Sequence, residues 1–354
     1  MVKVLMCGNH PSNKGGMTSV ISQLRNHKWE EDDIQIKFIP TFYPGNPLAK
    51  IIYFVVSYLK IVASIILYKP DIMHMHMSYK GSFHRKFLIH KLCKCFGVKT
   101  VIHLHGGEFE RWYNEANVKI QLKVQRLLKE CDAFLVLGKK WKKVVENIEP
   151  TVNVIVVPNA VHIPRNTIKW CDKQFRILYM GVLIKKKGID NLLQAIYGLK
   201  SAGKIESICL SIVGTGEEEN RLKALCKEYG LENIVQFHGW INGKEKEKVI
   251  MDSQVAVLPS FYEGLPIFVL EALSYGLPVI ATDVGDMSMA VIDGATGYLI
   301  QPGDVKQLEK QLEIINHKDI FLKMSESARK LAERMFSDEK FFRAIAECYL
   351  NLVK

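Results

Sequence analysis

The sequence has little cysteine, and what it has is not paired for chemistry. Eight cysteines are scattered over 354 residues, with Cys93 and Cys95 the only close pair. One intervening residue suits neither a zinc knuckle nor a redox motif, so all eight read as reduced cytosolic thiols. The opening VKVLMCG carries a single Lys and no cleavage site, and reads as a short strand rather than a signal peptide. Acidic charge is scarce in one half only. Residues 1–170 hold 25 Lys and Arg against 12 Asp and Glu, whereas residues 171–354 hold 23 against 25. The net charge of +11 therefore belongs to the first half, where it suits nucleic acid, an anionic bilayer or a phosphate-bearing ligand. The basic helices lack interleaved stacking aromatics and no nucleic-acid motif is present, which ranks nucleic acid last.

What the chain does have is an alternation of strand and helix patterns, long enough for two domains. In the first half, strands are expected at residues 2–7, 34–39, 72–77, 99–105, 133–137 and 152–157, with helices between. A polar, irregular stretch from His162 to Cys171 reads as a linker. A second series follows, with strands at residues 175–181, 208–213, 234–237, 255–258 and 279–281. Such alternation predicts α/β domains with doubly wound parallel sheets.

The most informative stretch is Leu258 to Thr282, LPSFYEGLPIFVLEALSYGLPVIAT. An apolar run ending at Pro259 predicts a buried strand, Ser260 to Gly264 a loop, and Pro266 the start of a helix running to about Tyr275. Gly276 and Pro278 stop that helix before the next strand. Two carboxylates interrupt the apolar pattern, with seven residues between them. Glu263 falls in the loop, where open parallel sheets bind ligands, and Glu271 on the helix, expected near its positive end. Acids near a helix start also serve simply to complement the macrodipole or to be solvated.

The frame around them is more specific. Pro259, Ser260, Glu263, Gly264, Pro266, Glu271, Ala272, Gly276, Pro278 and Val279 together resemble the signature of the GT-B glycosyltransferases of family 4, the group 1 glycosyl transferases. The resemblance implies a GT-B fold: two Rossmann-like doubly wound parallel-sheet domains with an interdomain cleft. It implies an acceptor-side domain over residues 1–165, a nucleotide-sugar-binding domain over 166–335, and a C-terminal helix over 336–354 that returns to the first domain. It also places Glu263 on the donor sugar and Glu271 on the ribose, with Gly264 and Leu265 beside them.

Other motifs extend the likeness. Paired Gly15 and Gly16 open a helix and serve either as a tight turn or as an anion cradle; the GGM string resembles the family's glycine-rich loop at the donor phosphate. His103 and His105 end the fourth strand; HLHGGEF resembles the family's H-G loop, which implies that His105 lies near the donor sugar. In GVLIKKKG, from Gly181 to Gly188, Lys187 matches the family's pyrophosphate-binding Lys, while Val182 stands where the family has Arg. Lys186 or Lys185 is the candidate replacement. Gly214 in the V-G-T-G string, and His238 and Gly239 in the next loop, are implied to line the nucleoside pocket. The interdomain string VPNAV has Ala160 where the family has Gly.

The implied activity is metal-independent, retaining transfer of a sugar from a nucleotide-diphosphate donor, UDP-linked by expectation, to a glycan. The donor is a co-substrate; no cofactor and no metal ligand is assigned, since no D-x-D pair occurs. A sugar-nucleotide epimerase on the same fold, which needs no acceptor, and a basic nucleic-acid-binding protein are the rival readings. His74 and His76 hint at a metal, but two histidines without a third ligand read as structural.

The stretch from Leu48 to Leu67 is apolar enough to pass for a membrane span. Its polar residues Lys50, Ser57, Lys60 and Ser64 fall within about 80° of a helical wheel. It therefore reads as a crossover helix with an apolar flank to spare. Lysine runs on three neighbouring helices are either solvated faces or a surface for anionic lipid. Together they suggest a protein peripheral at the cytoplasmic face of the cell membrane, with a polyprenyl-linked saccharide as acceptor in polysaccharide synthesis.

Overall fold

The computed structural model describes residues 1–29, 33–205 and 207–354. The chain divides into two compact units, residues 1–158 with 339–354, and residues 159–338. The first contains β1 (Val2–Asn9), α1 (Gly16–Asn26), β2 (Ile34–Phe42), α2 (Pro47–Tyr68), β3 (Ile72–Met77), α3 (Gly81–Cys95) and β4 (Lys99–Leu104). It continues with α4 (Phe109–Glu115), α5 (Val118–Glu130), β5 (Ala133–Val136), α6 (Lys139–Ile148) and β6 (Val154–Val156). The second contains β7 (Phe175–Met180), α7 (Ile189–Ser201), β8 (Ile208–Val213), α8 (Glu219–Glu228), β9 (Val235–Gly239), α9 (Gly243–Met251), β10 (Val255–Leu258) and α10 (Ile267–Ser274). Then come β11 (Val279–Thr282), β12 (Gly297–Ile300), α11 (Val305–Ile315) and α12 (Lys318–Met335), and the chain closes with α13 (Asp338–Val353), which lies in the first unit from Glu339 on.

Each unit holds one six-stranded parallel sheet, ordered β2-β1-β3-β4-β5-β6 in the first and β12-β11-β10-β7-β8-β9 in the second. The central strands are buried on both faces, as helices on both sides of a parallel sheet require, and so read as continuous apolar runs. Strand β12 was not among the expected strands. Its four residues pair in register with β11, and Gly297 to Ile300 alone carry too short a pattern to stand out.

The stretch His162–Cys171 is packed in the second unit rather than strung between units. Ile168 is buried, and its N–H donates to the Tyr275 carbonyl at 3.0 Å. Most of α13 belongs to the first unit, where Tyr349 hydrogen-bonds His74 and Phe342 stacks on His27 at 3.8 Å.

Helix α2 begins where Asn46 accepts from the Ala49 N–H at 2.8 Å and Pro47 takes the first helical position. It ends at Lys69 in a left-handed conformation, φ 50°. The side bearing Ser57 and Ser64 is the one that packs, together with Ile61 and Ile65, against the sheet. Ser57 escapes the cost of burial by donating to the Tyr53 carbonyl at 2.8 Å. The apolar flank, including Leu48, Ile52, Val55, Val56, Leu59 and Ile66, faces outward. The helix is long and apolar enough to cross a membrane by length and composition, yet it is the crossover between β2 and β3.

Candidate functional site

In the second unit β7 pairs with β8 on one side and β10 on the other, so the strand order reverses there. Loops leaving the carboxyl ends of such a pair diverge and open a crevice. The two loops are Gly181–Gly188 and Pro259–Pro266, the most motif-rich segments of the sequence.

They are locked together by backbone geometry. Gly188 has φ +66°, and a Cβ there would lie 2.1 Å from the Pro259 carbonyl oxygen, so only glycine lets the loops meet. The Phe261 N–H donates to the Lys186 carbonyl at 2.9 Å. Gly214 has φ +139° and would place a Cβ 1.8 Å from the Gly181 carbonyl oxygen, so the turn after β8 presses on the first loop. The Gly181 N–H donates to Val213 and the Gly214 N–H to Gly239, which strings three successive strand ends into one row.

Side-chain chemistry sits on this frame. Lys187, in the tight turn Lys185–Lys187, reaches Glu263 across the crevice, with Nζ 2.5 Å from Oε1 and the two side chains only 18% and 10% exposed. A pair so shielded from water feels a stronger mutual field than a surface pair. Tyr179 lies beneath it on β7; burial and the Glu263 carboxylate push its hydroxyl well above the usual range, so it stays protonated. Its hydroxyl donates to the Val182 carbonyl at 3.3 Å.

Glu271 departs from expectation. Pro266 is the N-cap of α10, so Glu271 is the fifth residue of the helix and the first turn holds no acid. The macrodipole falls off within that first turn and contributes little to it. Its partner is instead Lys246 of α9, Nζ to Oε1 2.6 Å. Each acid of the E-x7-E pattern thus has its own lysine.

Gly264 accepts from the Asp286 N–H at 3.0 Å, and Leu265, 2% exposed, accepts from Asn159 Nδ2 at 2.6 Å. Asn159 is a residue that sequence reasoning passed over as part of the VPNAV string. It is buried and clamps the acid-bearing loop from a segment about a hundred residues away in sequence. His238 joins a different set: its Nε2 lies 3.2 Å from Ser211 Oγ, in a pocket shared with Arg176, Gln236 and Asp252. The structure does not bring it to the Lys187–Glu263 pair by any contact.

In the first unit β1 lies between β2 and β3, so Gly15 and Gly16 follow the strand at which that order reverses. Gly15 has φ +134° and caps α1 without a side chain, leaving the backbone of the turn approachable. His105 is the first residue past β4, its N–H bonded to the Met77 carbonyl at 2.9 Å. Its Nε2 lies 2.9 Å from His76 Nδ1, and its dry surroundings pull its pKa down to about 3, so the ring is neutral at physiological pH. The Tyr79 hydroxyl donates to Glu108, tying the loops after β3 and β4.

The reading of His74 and His76 as a pair without a third partner is corrected by the sheet register. His103 lies opposite His76, and the three offer ligand nitrogens within 4.8 Å of one another. All three rings are buried, and desolvation holds their pKa values far below the usual histidine range. All eight cysteines are free thiols.

Comparison with known proteins follows the same lines. The family model for Glycosyl transferases group 1 matches residues 164–335. A stretch of 207 residues is 32% identical to an uncharacterised glycosyltransferase of Haemophilus influenzae, spanning 57% of each protein. Over 340 residues the chain is 25% identical to an Escherichia coli UDP-Gal:alpha-D-GlcNAc-diphosphoundecaprenol alpha-1,3-galactosyltransferase, covering 91% of this chain and 85% of that one. Among solved structures, sucrose-phosphate synthase from Thermosynechococcus elongatus superposes with a TM-score of 0.85 at 17% identity, covering 99% of both chains. Anabaena HepE in complex with UDP gives 0.78 at 15% identity, covering 99% and 100%. These neighbours share the GT-B fold.

Proposed function

The chain belongs to the group 1 glycosyltransferases, and from that premise we propose that it moves a sugar from a UDP-sugar to a lipid-linked saccharide, with retention of anomeric configuration. The observation that carries the reading is the Lys187–Glu263 pair, held across the strand-order reversal of residues 159–338 by loops that glycines alone allow to touch.

Transfer breaks the bond between the anomeric carbon and the donor diphosphate, and leaves negative charge on the departing phosphate oxygen. Lys187, with Lys186 beside it in the same turn, supplies fixed positive charge where that develops. Glu263 holds Lys187 in place before the donor arrives and presents its second oxygen to the sugar hydroxyls. The acceptor hydroxyl attacks the anomeric carbon, and its proton passes to the departing diphosphate. No metal ion takes part in this step, because the lysines do the neutralising. Glu271, held by Lys246, takes the ribose.

Support for the acceptor comes from the Escherichia coli galactosyltransferase, whose name specifies a diphosphoundecaprenol-linked substrate. The outward apolar flank of α2, in a unit with excess positive charge, gives such a lipid a place to meet the protein at an anionic membrane surface. The deciding experiment is a donor screen with and without lipid-linked acceptor, followed by NMR assignment of the product anomer. Nucleotide release only with acceptor, and a product of the donor's own configuration, support the reading. An epimeric sugar nucleotide formed without acceptor and without net nucleotide release marks an epimerase, and an inverted product removes the retaining mechanism.

A further inference from the structure

Strand β3 reads Ile-Met-His-Met-His-Met, and strand alternation sends its residues to opposite faces. Met73, Met75 and Met77 enter the apolar core, and His74 and His76 face the other way. Parallel pairing with β4 sets His103 beside His76 on that second face. Ring centroids are 4.5 Å apart for His74 and His76, 5.3 Å for His76 and His103, and 5.5 Å for His74 and His103.

The hydrogen bonds of these rings are distributed unevenly. His74 uses Nδ1 on the Tyr349 hydroxyl, and His76 uses Nδ1 on His105 Nε2 at 2.9 Å. Nε2 of both rings and both nitrogens of His103 are buried with no hydrogen-bond partner. Native interiors leave only a few such atoms unpaired per hundred residues, and here four share one cluster. An outer nitrogen engaged by an oxygen or ring acceptor, with the inner nitrogen free, is also how metal-bound histidines are oriented by their surroundings.

We infer that His74, His76 and His103 form a binding site for one divalent transition-metal ion of the zinc class, built into the sheet of residues 1–158. An all-imidazole set favours zinc, cobalt, nickel or copper over magnesium or calcium, which take oxygen ligands. Tetrahedral zinc at about 2.0–2.1 Å from each nitrogen needs the nitrogens roughly 3.3 Å apart, a closure within reach of small ring rotations from 4.8 Å. Three histidines leave the fourth position to a water or anion. The ion ties β3 to β4 and, through Tyr349, to α13; this role is independent of the transfer reaction proposed above.

The test uses the full-length chain, stripped with chelator and supplied with Zn²⁺ or Co²⁺ alone, without any sugar nucleotide. The expected result is one tightly held ion per chain by elemental analysis, visible Co²⁺ bands of tetrahedral intensity, and a raised melting temperature. His103→Ala and, as a second variant, His74→Gln should weaken Zn²⁺ retention at least a hundredfold in chelator competition, whereas His10→Ala with His162→Ala should not. Wild-type protein that holds no stoichiometric ion, or holds Co²⁺ only with a weak octahedral spectrum, overturns the site whether or not the variants fold. Equal retention in wild type and His103→Ala does the same.

Discussion

The two units share six parallel strands but order them differently, and they keep their polar chemistry in different places. Counting from the first strand of each, the second unit runs 3-2-1-4-5-6 and the first runs 2-1-3-4-5-6. In the second unit the charged groups, Lys187, Glu263, Lys246 and Glu271, are partly exposed, two on loops that follow strands and two on helices α9 and α10. In the first unit the unusual polar groups lie beneath the surface: His74, His76, His103 and Lys86 are all buried. The first unit also carries 26 Lys and Arg against 14 Asp and Glu, and the second 22 against 23. The contrast teaches that loop chemistry announces itself by local spacing, whereas chemistry in mid-strand depends on which strand lies next door.

The sharpest way to test the second unit is to remove its cross-loop pair. Lys187→Ala and Glu263→Ala should each lower kcat by about 10²–10³-fold, with circular dichroism unchanged, as expected for loss of a charge aimed at the leaving group. A loss confined to KM would move Lys187 out of the chemical step. Glu271→Gln should act more mildly and differently, raising KM for the donor by about tenfold to a hundredfold with kcat nearly kept. If kcat and kcat/KM fell together, the assignment of Glu271 to ground-state binding would be wrong.

Lys86 probes the first unit. Its Nζ donates to Thr41 Oγ1 at 2.8 Å, and burial pulls its pKa down to about 8. The unfolded chain, with an ordinary lysine, binds the proton more readily between about pH 8 and 10.4. Stability therefore rises with pH through that window. Lys86→Met should flatten the rise and stabilise the protein at pH 7 by roughly 1–3 kcal/mol in denaturant titrations. A variant less stable than wild type would show that the amine is well compensated where it lies.

The smallest expected effect is on α2. Val55→Asp with Leu59→Asp should cut flotation with anionic vesicles about tenfold while leaving the melting temperature nearly unchanged, since both side chains are exposed. Wild-type protein that stays in solution with such vesicles would remove the membrane from the functional reading.

Much of the fold was legible in the residues. Short apolar runs bounded by turn residues located nearly every strand, and Gly276 with Pro278 placed the end of α10 to within a residue or two. The loops with Lys187 and Glu263 were legible because their glycines, prolines and charges match the frame of a known family. Three features were not. The position of Glu271 within its helix depended on the cap falling at Pro266. Asn159 looked like part of a connector, and its role appears only when Leu265 is folded against it. His103 could be matched with His76 only by the pairing register of β3 with β4, which no single-strand pattern encodes.

Residues 339–354 complete a unit that begins at Met1. During synthesis the stretch from 159 to 338 is therefore available before the earlier unit can be finished, and the apolar surface that receives Phe342 and Tyr349 stays uncovered until residues 339–354 have been made. A nascent chain stalled shortly before Glu339 would carry one finished half and one open one. Sixteen residues, 339–354, thus decide when the first unit can close its core.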